Sequence, residues 1–283
     1  MEIQILAVPY DSGHRGLRMG AGPEALLKAG LIDALRDAGH TVHVRIAELD
    51  EQQWQAEIQS SFELMRMLST AVRETREASR FPIVLAGNCN TAVGTLAGLG
   101  AGTTGVAWFD AHADFNTPET TTSGFLDGTA VAIVTGRCWT QLAATVPGFA
   151  PIPDKRIALI GTRDIDSLES ALLHDSEVTL VASGRLREDL PKALQSVTEH
   201  VDEIYVHLDL DVLDAGVAAA NKFAVTGGLT LEDVDFALSL IRQGFRITGV
   251  ALTAYDPEAD GNGRAAGAAI QLINTAARLA SRA

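Results

Sequence analysis

Short apolar runs alternate along the whole chain with longer stretches in which apolar positions recur every three or four residues. Residues 3–9, 82–86, 105–109, 156–161, 178–181, 203–208 and 247–253 are strand-length runs rich in aliphatic side chains. Continuous runs of this kind suit strands buried on both faces. Residues 23–38, 51–78, 90–99, 167–174, 186–200, 231–242 and 264–280 carry the helical spacing. Two starts are marked: Pro23 follows Gly22, where a missing N–H is harmless, and Thr230 precedes Leu231-Glu232-Asp233, where its hydroxyl can cap. Strand and helix in alternation predict an α/β fold, a three-layer α/β/α sandwich with a mainly parallel central sheet. No linker-like tract or internal repeat breaks the pattern, so residues 1–283 are read as one domain. The helix at 51–78, with Trp54, Phe62, Leu64 and Leu68, is expected to supply packing.

Charge narrows the partners. The 283 residues carry 22 Lys and Arg against 36 Asp and Glu, a net charge of −14. That excess repels phosphate backbones and anionic headgroups, which disfavours nucleic acid and membrane surfaces. No apolar run approaches the ~18 residues of a membrane span, and the start MEIQILAVPYDSGHRG lacks the basic flank of an export signal. Two cysteines, Cys89 and Cys138, are too few for a disulfide framework, so a cytoplasmic protein is expected.

The chemistry sits where strands end. After the run 105–109 comes Asp110-Ala-His112-Ala-Asp114, and alternation points residues 110, 112 and 114 the same way if the chain stays extended. The run 203–208 delivers Asp209-Leu-Asp211 in the same manner. In parallel α/β sheets ligands bind beyond the carboxyl ends of the strands. Four carboxylates gathered there repel one another unless cations lie among them. Oxygen donors with an imidazole suit Mn(II), and bridging carboxylates suit two ions ~3.5–4 Å apart. The plainer alternative has Asp110 and Asp209 merely capping the loops they open.

These motifs resemble the arginase/agmatinase ureohydrolases, and the similarity covers nearly the whole chain. HRGLRMGAGPEALLKAGL is similar to that family's glycine-rich loop and first helix, WFDAHADFNTPETTTSG to its central metal motif, and LDLDVLD with the later TGGLT to its second. The resemblance implies hydrolysis of a guanidino or amidine C–N bond by hydroxide bridging two Mn(II) ions. It makes Asp110, His112, Asp114, Asp209 and Asp211 five of the six usual metal ligands. Asp114 would also align the nucleophile. It further implies a small amino-acid substrate and a homo-oligomer, trimeric or hexameric.

The sixth ligand departs from the family. Where the pattern has Gly-Gly-Asp-His-Ser, this chain has Ala86-Gly87-Asn88-Cys89-Asn90, so Cys89 stands in a histidine's place. Two readings stay open, a metal ligand or a small buried hydrophobe. A ligating thiolate would leave four Asp and two divalent ions one charge negative, and is a poor match for Mn(II), so one position is expected to bind weakly or accept another ion. Cys138 is read as structural.

Asn116 and Ser123 match positions that grip an α-carboxylate in arginases, and Asp166 and Glu169 match the loop that faces the α-amino group. The last pair also spells a capping box, which needs no ligand. Asp127 occupies the place of a proton-shuttling histidine, Phe125 that of an asparagine, and Ala254 that of a guanidinium-clasping glutamate. A guanidinium is a permanent cation, and desolvating it unpaired is costly, so arginine is expected to be a poor substrate unless Asp256 or Glu258 substitutes. N-hydroxylation lowers guanidine basicity, and Cys89 together with FNTPETT resembles the N-omega-hydroxy-arginine hydrolase branch. The rivals are a degenerate paralogue that binds an amino acid or a partner subunit, and a one-zinc amide hydrolase of deacetylase type. His14 is expected at the surface and His207 as a hydrogen-bonded core residue.

Overall fold

The computed structural model describes residues 1–50 and 56–281. Strands β1 (Glu2–Val8), β2 (Tyr10–Asp11), β3 (His14–Arg15), β4 (Thr41–Ile46), β5 (Phe81–Ala86), β6 (Thr104–Phe109), β7 (Ile157–Thr162), β8 (Thr179–Ala182), β9 (Glu203–Asp209) and β10 (Arg246–Thr253) alternate with helices. The helices are α1 (Gly22–Lys28), α2 (Leu31–Asp37), α3 (Glu57–Glu77), α4 (Ala92–Leu99), α5 (Ala130–Val134), α6 (Thr140–Ala143), α7 (Ser167–His174), α8 (Leu186–Thr198), α9 (Leu231–Gly244) and α10 (Arg264–Ala280). Eight strands form one parallel sheet in the order β4-β1-β5-β10-β9-β6-β7-β8, while β2 and β3 pair as a small antiparallel ribbon.

Period-two alternation sends the strand side chains to two cores. Ile3, Ile5, Ile83, Leu85, Ala107 and Phe109 face one layer, which contains α8, α9 and α10. Leu6, Val8, Val84, Ala86, Val106 and Trp108 face the other, which contains α3 and α4. The expected three-layer α/β/α arrangement is present. Among the described residues no helix is long and apolar enough to cross a membrane.

Several local expectations change. The helix read at 23–38 is two helices, because Gly30 between them adopts φ 101°. Such a left-handed turn breaks the ladder and re-aims the chain. The edge strand β4 has exposed Arg45 and half-buried His43, which hid it among polar positions. Of the helix read at 51–78, the described part is α3, and Trp54 lies outside the described residues. The segment read as a helix at 90–99 opens with a 3₁₀ turn at Cys89–Thr91 before α4. The short α5 and α6 carry too few turns to show a period.

The topology makes the site. The connection from β5 through α4 to β6 leaves a gap that β9 and β10, the last strands in sequence, fill. Loops after β5, β6, β7, β9 and β10 therefore gather at one end of the sheet, at the crevice such a switch creates. The β1–α1 loop seats against them: a β-carbon on Gly87 would stand 2.3 Å from the carbonyl oxygen of Tyr10 and 2.9 Å from Gly20 Cα.

Candidate metal centre

Five of the six predicted donors converge in two triads, Cys89 with Asp110 and Asp209, and Asp110 with His112 and Asp211. Within each triad the donor atoms lie within 4.8 Å of one another. Asp110 belongs to both, so the two positions adjoin. Asp114, the remaining predicted donor, lines the same cleft but joins neither triad. The cleft holds about 270 Å³.

Local backbone chemistry aims these groups. The Asp110 carboxylate accepts the His112 N–H at 2.7 Å and the Trp108 indole N–H at 3.0 Å. Asp209 accepts the Asp211 N–H at 2.8 Å, closing the 3₁₀ turn that follows β9. Asp114 sits at φ 49°. That left-handed geometry is unusual for a residue with a β-carbon, and it is held because the Asp114 carbonyl accepts the Val131 N–H at 2.8 Å at the start of α5. Ala254 is likewise left-handed at φ 60°, its carbonyl accepting the Asn221 side-chain amide at 2.8 Å.

The electrostatics show what the cluster lacks. Burial raises the Asp110, Asp114 and Asp209 carboxyls above the usual range, and neighbouring carboxylates push further in the same direction. Burial, then the negative charge of Asp209, lifts the Cys89 thiol well up. At His112 burial opposes the charged imidazole, but the hydrogen bond to Asp110 and the charges of Asp211 and Asp110 outweigh it and move the group to about 9. Every shift has the sign of a site short of positive charge. Carboxylates, an imidazole and a thiol crowded into two adjoining triads fit divalent cations.

Asp127, though buried, lines the cleft, where it accepts the Asn90 N–H at 2.8 Å and the Asn88 side-chain amide at 3.0 Å. Burial pushes its carboxyl to about 7 despite those hydrogen bonds. A raised carboxyl favours the protonated native state, so its contribution to stability falls as pH climbs from the ordinary carboxylate range toward 7 and is level above. Asp127→Asn is therefore expected to gain on the wild type between pH 5 and pH 8 in urea unfolding of the metal-free proteins. A pH-independent difference would show that Asp127 does not titrate in this range.

The substrate-side residues separate. Asn116 donates to Asp166 at 3.1 Å, and both line the cleft. Glu169 is engaged by backbone: one oxygen accepts the Phe115 N–H at 2.7 Å, the other the Asp166 N–H at 3.2 Å, completing the capping box of α7. Ser123 is exposed at the mouth, where its hydroxyl accepts the Phe125 N–H at 3.2 Å. Phe125 faces Phe223 across the entrance, ring centroids 5.8 Å apart. Neither Asp256 nor Glu258 lines the cleft; Asp256 instead accepts the Glu258 N–H at 3.0 Å.

Other residues became visible only through space. Asn88 bridges Asp127 and Asp11, and Asp11 pairs with Arg18 at 2.9 Å. Arg163 donates to the carbonyls of Asp211, Val212 and Leu213, fixing the loop after β9 to the end of β7. Asn221 donates to Asp211 at 3.3 Å. The only sequence signal for these was adjacency to a motif. His14 is exposed, His207 is fully buried and hydrogen-bonded, and Cys138 is buried as a free thiol.

The profile of the arginase family matches residues 1–278. The chain is 29% identical to the arginase of Staphylococcus aureus strain MRSA252, over 96% of each chain. It is 31% identical to that of Brucella melitensis biotype 1, over 96% of this chain and 95% of the other. The crystal structure of arginase from Bacillus cereus superposes with a TM-score of 0.88 at 26% identity, covering 98% of both chains.

Proposed function

The chain belongs to the arginase family, whose members hydrolyse C–N bonds in linear amidines, and from that premise we propose a two-manganese hydrolase acting on an arginine-like amino acid, with N-hydroxylated arginine preferred over arginine. The two triads sharing Asp110 carry this reading. They argue against the one-zinc amide hydrolase, which needs a single position. Cys89, Asp110, His112, Asp209 and Asp211 would hold the ions, and Asp114, whose carboxyl feels the charge of Asp110, would join them as the sixth donor. When bound, the ions supply an activated water at neutral pH and polarise the guanidino group.

The protein's own groups do the rest. Asp114, aimed into the cleft by its left-handed backbone, accepts a hydrogen bond from the attacking water and aligns it. Asp127, near 7, has the acidity to hand a proton to the departing amine. Asn116 and Ser123 take the α-carboxylate; Asp166, with Glu169 holding its backbone, takes the α-amino group. At the reacting end Ala254 offers a methyl group, and the cleft gains no carboxylate from Asp256 or Glu258. A neutral hydroxyguanidine loses less on leaving water there than a guanidinium does.

The resemblance also supports action as one domain within a cytoplasmic homo-oligomer, trimeric or hexameric. The test is substrate competition. Manganese-loaded enzyme is expected to show a kcat/KM for Nω-hydroxyarginine at least about 10-fold above that for arginine, the ratio that ~1.4 kcal/mol of differential desolvation produces. Equal values would remove the hydroxylated substrate while leaving the amidinohydrolase intact. Absence of turnover on either, with no manganese-dependent rise in Tm, would instead favour the degenerate paralogue.

A further inference from the structure

Cys89 Sγ has two close neighbours, Asp209 Oδ2 and Thr253 Oγ1, each at 3.0 Å. Behind Thr253 the contacts continue inward. His207 Nε2 lies 3.2 Å from the same hydroxyl, and His207 Nδ1 lies 2.9 Å from the Tyr205 hydroxyl. The imidazole stacks on Trp108, with ring centroids 3.6 Å apart and planes 8° from parallel. Trp108 in turn donates to Asp110 at 3.0 Å. A stacked pair thus reaches two members of one triad from behind, Asp110 directly and Cys89 through Thr253. All of these side chains are buried.

A cysteine that binds metal does so as a thiolate, with no proton to give. One arrangement of hydrogens then serves the chain. Tyr205 donates to His207 Nδ1, His207 Nε2–H donates to Thr253 Oγ1, and the Thr253 hydroxyl spends its single proton on Cys89 Sγ. The other acceptor near that hydroxyl, the Leu208 carbonyl, stands farther off at 3.5 Å.

We propose that Thr253, itself held by His207, is a positioning residue that donates a hydrogen bond to the Cys89 sulfur, fixing its aim and lowering its donor strength toward a divalent ion. This rests on the reading of Cys89 as a ligand. A hydrogen bond that draws charge from sulfur brings a soft donor closer to what a hard ion tolerates. It answers a question the sequence raised, how a thiolate serves among carboxylates.

Cobalt(II) is the probe, because thiolate-to-cobalt charge transfer reports the sulfur directly and needs no turnover. Cobalt-loaded wild type is expected to show a near-ultraviolet charge-transfer band that Cys89→Ser lacks. Thr253→Val keeps the shape and removes the proton, so the more electron-rich sulfur should move the band to lower energy, while the loss of its aim outweighs the gain in donor strength and should raise the cobalt titration midpoint about 10–100-fold, the usual effect of losing such a partner. Thr253→Ser should restore both. His207→Phe keeps the stack on Trp108 and should shift the band the same way by less; it carries the test alone if Thr253→Val does not fold. An unshifted band and midpoint in whichever variant folds overturns the positioning role. A wild-type protein that binds cobalt without any Cys89-dependent band overturns the ligand reading, and this inference falls with it.

Discussion

Asp209→Asn is expected to remove more than about 10³-fold of the activity, beyond the ~10–100-fold typical of an outer partner of a metal ligand, while raising the Tm of the metal-free protein. Both effects have one cause. Asp209 is buried, and its carboxyl is lifted by burial first and by Asp211 and Asp110 next. An acid whose folded value is raised binds its proton more tightly in the native state, so without metal its contribution declines as pH rises above the ordinary carboxylate range. Asparagine removes that burden, keeps an acceptor for the Asp211 N–H, and offers an amide to Cys89 where the acid accepted from it. The wild type should recover the loss when manganese is added, by about 2.7 kcal/mol at a hundredfold excess over Kd, and the variant should not. Melting curves with and without Mn(II) at pH 8 read all four states. A variant that still gains stability from manganese as the wild type does would place the ion elsewhere.

Ala254→Glu should act in the opposite sense, building a preference rather than destroying a reaction. Ala254 lines the cleft at the position where the family resemblance puts the guanidinium's carboxylate. Its backbone already carries a β-carbon at φ 60°, so glutamate adds little new backbone conflict. A hydrogen bond to a charged group contributes about 1.5–3 kcal/mol, which translates into a rise of about 10–100-fold in the kcat/KM ratio of arginine to Nω-hydroxyarginine. The metal-free variant should also melt lower, because another acid joins a crowded group. The ratio is the decisive number: if it stays level while the variant folds and binds manganese, selectivity lies elsewhere, with the Phe125 and Phe223 rings at the mouth the next place to look.

The sheet was legible because strands buried on both faces need unbroken apolar runs, and β1, β5, β6, β9 and β10 have them. Strand β4 was not, because an edge strand carries His43 and Arg45 outward without penalty. Carboxylates at the ends of β6 and β9 were legible since two-residue spacing keeps them together. The left-handed backbone at Asp114 was not, because extended-chain reasoning cannot foresee it. Contacts between distant segments, such as Asn88 with Asp11 or Arg163 with the loop after β9, leave no periodic trace. The capping box of α7 was written plainly in Asp166 and Glu169, and the structure gives both Glu169 oxygens to backbone amides.

Two left-handed non-glycine residues, Asp114 and Ala254, line the cleft. Glycine at either would relieve torsional strain of about 1–2 kcal/mol. Each of the two therefore costs folding stability at the spot where it shapes the crevice, so a firmer fold obtained by either glycine exchange would come with a looser pocket wall.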